Sequence, residues 1–216
     1  MRKIVVKTDA GKIKIRLREG AKATANAGSA AAEAAGSIGL PRQGVILPGR
    51  LINYMEIRAE SVFRPGEEDV EIVYALSGTN ANVPDMLHKL SSTTVVADAS
   101  PSYVTSYIGG MIDHIRKERG GEPELIVQIH THPQGLPYPS ETDKQFYRNT
   151  SEVIRQLVPE VNIIFGIHAV SSEAIRKRQE PSKTAKNKLE WASITRIHEV
   201  GFYTEDAQPC EVSYDR

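Results

Sequence analysis

Residues 125–147, LIVQIHTHPQGLPYPSETDKQFY, constrain the chain more than any other stretch. Leu125 to Ile129 form an apolar run broken only by Gln128 and read as a buried strand. Because side chains alternate between the faces of a strand, His130 and His132 then fall on the same face. Two imidazoles so placed can share a metal. Pro133, Gly135, Pro137 and Pro139 prevent regular structure, so the chain loops until Ser140 restarts it as a helix N-cap. Asp143 falls in that helix's first turn. A strand end offering two nitrogens and a helix start offering one carboxylate oxygen leave a fourth tetrahedral position open, the mark of a catalytic zinc site. The plainer alternative is a pair of strand-ending surface histidines beside a Ser-x-x-Asp capping box.

The rest of the chain narrows the choice. Its 216 residues suit one domain with a small appendage. Twenty-seven basic residues balance 27 acidic ones, so no global field argues for nucleic acid or an anionic membrane as partner. No apolar run approaches the roughly 18 residues of a membrane span, and charge breaks the start, MRKIVVKTDAGK, too early for a secretory signal. A cytoplasmic location follows as the expectation. The single cysteine, Cys210, excludes an internal disulfide framework, and it excludes the Pro-Cys-x-x-Cys ligands of a zinc nucleoside deaminase. His, Asp and Glu remain as ligands.

Taken in order, KIVVKT at 3–8 and KIKIRLR at 12–18 read as a hairpin turned at Asp9-Ala10-Gly11, followed by an Ala-rich helix at 24–36. The expected division is an appendage at 1–43 and a main domain at 44–216. There, Leu51, Met55, Ala59 and Val62 mark an amphipathic helix after Pro48, and residues 70–78 a strand ending at Gly78. Residues 79–92 read as a loop, 93–99 as a strand, and a helix from about Ser102 stops at Gly120-Gly121. A helix from Ser140 to Pro159 precedes a buried strand, Val161 to Val170, in which His168 reads as a packing histidine. The basic stretch 172–190 reads as a solvated loop, and the C-terminal residues as two strands joined near Glu205 to Gln208. Interleaved helices and strands give an α/β (α+β) domain, a mixed sheet with helices packed on it.

His130-Thr131-His132-Pro133, then Ser140 and Asp143, resemble the JAMM motif of the MPN-domain zinc metallopeptidases. The surrounding layout is similar to the proteasome-lid type of deubiquitinase. The resemblance implies a cytidine-deaminase-like mixed sheet flanked by helices, and one zinc per chain held by His130, His132 and Asp143. It implies Glu71 as general base and Ser140 as a donor to the oxyanion. Tyr74 stands where the family carries a small residue, so Glu67 and Glu68 stay open as alternatives to Glu71. Val83, Met86 and Leu87 would contact substrate. The implied reaction is hydrolysis of the bond between the C-terminal Gly of ubiquitin or a ubiquitin-like protein and a lysine, with such conjugates, and a proteasome-type assembly, as partners. A non-catalytic MPN scaffold, or a JAMM hydrolase of another substrate, is the alternative. The first 43 residues resemble half of a ubiquitin-like β-grasp.

Overall fold

The structure, a computed structural model, describes residues 5–9, 12–16, 44–61, 63, 71–90, 97–100, 103–106, 108–171 and 177–216. The chain divides into two compact units, Met1–Arg42 and Gln43–Arg216. In the first, β1 (Val5–Asp9) and β2 (Lys12–Arg16) pair antiparallel, with Asp9 opposite Lys12. The Ala-rich helix expected at 24–36, and Glu67 and Glu68, lie outside the described residues.

The second unit runs β3 (Gly44–Pro48), α1 (Gly49–Glu60), β4 (Val73–Gly78), β5 (Met86–Lys89), β6 (Ala97–Ser100), β7 (Tyr103–Ser106) and α2 (Ile108–Arg119). It continues with β8 (Leu125–Pro133), α3 (Glu141–Leu157), β9 (Asn162–Val170), β10 (Gln179–Ala185), β11 (Lys188–Ala192), β12 (Ile197–Tyr203) and β13 (Glu211–Asp215). Seven strands form one mixed sheet in the order β10-β11-β12-β9-β8-β4-β5. Only β8 and β9 run parallel, and they lie inside the sheet with both faces covered, which is why both read as near-continuous apolar runs.

Alternation along β8 sorts its side chains. Leu125, Val127 and Ile129 join Leu51, Ile52 and Met55 of α1 in the main core. Gln128 and His130 face the other way, toward Phe146 and Tyr147 of α3, and Tyr147 stacks on Phe165 of β9 with ring centroids 4.2 Å apart. Each fully buried aliphatic or aromatic side chain of this kind contributes about 1.5–3 kcal/mol. Helix α3 starts where Ser140 closes a reciprocal capping box with Asp143, and Glu141 and Asp143 in its first turn oppose the helix dipole. Helix α2 stops at Gly120, whose φ of 74° is open to glycine at no steric cost.

The structure departs from the sequence expectations at the sheet's margins. Met86–Lys89, expected within a loop, is an edge strand hydrogen-bonded to β4. Tyr103–Ser106, expected as the first turn of a helix, pairs with Ala97–Ser100, as its aromatic and β-branched residues favour, and α2 starts only at Ile108. The basic stretch is no simple loop, because its second half forms the exposed edge strand β10, which tolerates Pro181, and enters β11. The two C-terminal strands do not pair with each other. β12 lies in the main sheet, and β13 pairs parallel with β3. Among the described residues no helix is long and apolar enough to cross a membrane.

Candidate active site

Strand β8 carries His130 and His132 past the end of β4, where His130 lies opposite Val73. Two hydrogen bonds fix the entry to β4 beside them. Ile72 N–H donates to Thr131 Oγ1 at 2.9 Å, and Thr131 N–H donates to Ile72 O at 3.0 Å. Thr131 thereby places Glu71, one residue earlier, at the same end of the sheet. Sequence reasoning quoted this threonine only as part of the motif and missed its positioning part.

The loop from Gln134 to Pro139 is held from three sides. Gln134 N–H donates to Val170 O, the Tyr203 hydroxyl donates to Pro137 O, and Leu136 O faces His132 Nδ1 at 2.9 Å. A carbonyl only accepts, so His132 carries its proton on Nδ1 and leaves the Nε2 lone pair free to face inward. A Cβ on Gly135 would stand 2.8 Å from the His132 Cβ, so only glycine lets the loop close this tightly over the ring. The run of prolines signals an irregular loop, but nothing in it reveals that Leu136 would orient the histidine.

His130 Nε2 lies 3.0 Å from His132 Nε2 and 3.2 Å from Asp143 Oδ1. Asp143 divides its two oxygens, since Oδ2 accepts from Ser140 N–H at 2.8 Å and from Ser140 Oγ at 2.6 Å. Burial alone would raise the Asp143 pKa, but the bonds from His130 and Ser140 outweigh it and hold the group at about 2. Burial and the neighbouring His130 lower the pKa of His132, keeping it neutral at pH 7. Glu71 is 5% exposed, and its Oε1 lies 4.0 Å from His132 Nε2. Burial, then the charge of Asp143, pushes its pKa up to about 8.

His130, His132 and Asp143 thus converge as a group able to hold a metal ion. Tetrahedral zinc with ligands at about 2.0–2.1 Å spaces its donors roughly 3.3 Å apart, close to the separations here. Two imidazoles and a carboxylate are also a donor set that suits zinc. The structure brings Glu71 and Ser140 to the same group and does not bring Val83, Met86 or Leu87 there. Met86 lies opposite Ser77, six residues along from Glu71 and so about 20 Å away. Val83 lies beyond it in a bridge to Asn80, and Leu87 packs on the core.

His168 belongs to the other face of the sheet, where it is fully buried. Its Nδ1 lies 2.7 Å from the Tyr74 hydroxyl and its Nε2 lies 3.0 Å from His198 Nδ1, while His198 Nε2 lies 3.1 Å from Glu60 Oε1. Burial would raise the Glu60 pKa, but bonds from Ser193, Thr195 and His198 lower it, so this carboxylate only accepts. Burial keeps both histidines neutral. Every proton then points one way, from Tyr74 through His168 and His198 to Glu60. Tyr74, a departure from pattern in the sequence, is the head of this chain.

Compared with known proteins, residues 19–179 match the family described as prokaryotic homologs of the JAB domain, a span well over half the chain. No curated protein matches it.

Proposed function

Because the chain belongs to the prokaryotic homologs of the JAB domain, we propose that it is a zinc-dependent isopeptidase. Its substrate is the bond between the C-terminal glycine of ubiquitin or a ubiquitin-like protein and a lysine side chain. The observation that carries this reading is the meeting of His130 Nε2, His132 Nε2 and Asp143 Oδ1 beside the buried carboxyl of Glu71.

Zinc held by those three residues supplies Lewis acidity and a water-derived nucleophile at neutral pH. The chain's own groups do the rest. The Nδ1–H bond to Leu136 O keeps the His132 ring in one orientation and one tautomer. Asp143 stays ionised across the physiological range, and Ser140 fixes it through Oδ2 while Oδ1 faces the centre. The Glu71 carboxyl, its pKa raised to about 8 by burial and Asp143, would be drawn back down by the charge of a bound cation, and so ionised it would take up a proton and give it to the departing lysine amine. Ser140 Oγ donates to the oxyanion by turning its hydrogen from Asp143 Oδ2, which the Ser140 N–H continues to hold. Leu136 and Tyr138 stand 68% and 58% exposed on the loop between the histidines and Ser140, and are placed to meet the substrate chain.

The test uses a ubiquitin-like protein linked through its C-terminal Gly-Gly to a lysine. Cleavage that stops on chelation and resumes when zinc is restored supports the reading. Intact substrate in the presence of zinc-loaded protein contradicts it.

A further inference from the structure

A second group of metal-binding side chains lies at the β5 edge of the sheet, away from the motif. His88 on β5 is fully buried, and its Nδ1 lies 2.5 Å from Glu118 Oε2. His114 and Glu118 stand four residues apart on α2, hence on one face of the helix, and His114 Nε2 lies 3.4 Å from the same Glu118 oxygen. One ligand atom from each of the three residues falls within 4.8 Å of the others. This group is separate from the first. His88 bonds to Ser77, four residues along β4 from Val73, which is about 13 Å.

Two features distinguish the group from a hydrogen-bonded cluster. His114 Nε2 is buried and has no hydrogen-bond partner among the described residues, although it faces the carboxylate oxygen. A buried polar atom in that state is costly, and a cation between the two groups would satisfy it. His88 is also anchored as metal-binding imidazoles are. Its Nε2 lies 2.6 Å from Ser77 Oγ, which is itself held by a 2.8 Å bond from Arg119, so the ring is fixed from behind while Nδ1 faces the group. The Arg119 charge does not stand unopposed, because Asp85 pairs with it at 2.6 Å.

We propose that His88, His114 and Glu118 form a second divalent-cation site, of the zinc class given its two imidazoles and one carboxylate. The ion ties the edge strand β5 to α2. On binding, the His88 ring changes tautomer: its proton passes from Nδ1 to Nε2, which donates to Ser77 Oγ, and the Nδ1 lone pair is left for the ion. The inference does not rest on the isopeptidase reading, because its ligands are a different set.

The full-length chain is loaded with zinc, dialysed and its metal content measured. The wild type is expected to hold two zinc ions per chain, and His114→Ala and Glu118→Gln one each. Both substitutions fall on partly exposed side chains, which keeps the fold. In a His130→Ala background one cobalt ion binds, and His114→Cys there adds a thiolate-to-cobalt charge-transfer band. The buried Cys210 cannot supply that band. A His114→Ala chain that holds as many ions as the wild type overturns the proposal. So does a folded cysteine variant that binds cobalt without the band. If instead His130→Ala costs no ion while His114→Ala costs one, this site stands and the motif site does not.

Discussion

Two histidine pairs sit on opposite faces of one sheet and differ in where their lone pairs go. His168 and His198, both out of solvent, spend every ring nitrogen in a one-way chain from the buried Tyr74 to the partly exposed Glu60. His130 and His132 turn their Nε2 atoms toward each other, 3.0 Å apart, with a carboxylate oxygen beside them and a second carboxyl nearby. Residue type is the same in both pairs, and His130, 8% exposed, is nearly as buried as the fully buried His198. What separates a structural histidine pair from one able to hold a metal is whether its ring nitrogens are spent along a closed chain or converge on one another and on a carboxylate.

The sharpest break in that comparison is His130→Ala. It should remove the motif-site metal and abolish turnover while the thermal midpoint measured without metal changes little. A large drop in that midpoint would make His130 structural, like His168. Next in size is His168→Ala, which opens a cavity and leaves both Tyr74 Oη–H and His198 Nδ1 unpartnered. Chemical denaturation should show a loss of about 3 kcal/mol or more, and chains that remain folded should still bind the motif-site metal.

Gly135→Ala tests how far the loop sets the His132 ring. Its new Cβ meets the His132 Cβ at 2.8 Å, so zinc affinity by competition titration should fall about 10-fold or more with little change in fold. The smallest effect is on pH. Burial holds the folded pKa of His168 and His198 below the unfolded value, so the unfolded chain binds more protons on acidification. Their contribution to stability is full above about pH 6.5 and is lost as pH falls below it. Urea midpoints should drop from pH 7 to pH 5, with a shallower slope in His198→Gln.

Local pattern carried much of this molecule. The shared face of His130 and His132, the Ser140 cap, the placing of Asp143 in the first turn and the stop at Gly120 all follow from spacing within a few residues. The edges did not, because β5 and β10 each have one hydrogen-bonded neighbour, and β5 is only four residues long while β10 is exposed along nearly its whole length, so both look like loops in the sequence. Long-range pairing was equally hidden. β13 meets β3 from the far end of the chain, and His198 reaches Glu60 across 138 residues. Nor could alternation show that Tyr74 takes up His168, or that the Leu136 carbonyl sets the tautomer of His132.

Glu71→Gln tests the central claim most directly, with zinc content and cleavage of a Gly-Gly–lysine conjugate read on the same samples as the wild type. The buried carboxyl lies beside the metal-binding group without being counted in it, so the variant should hold as much zinc as the wild type and cleave nothing measurable. Wild-type cleavage by Glu71→Gln would contradict the assignment of the proton-transfer group, and with it the account of how this site works.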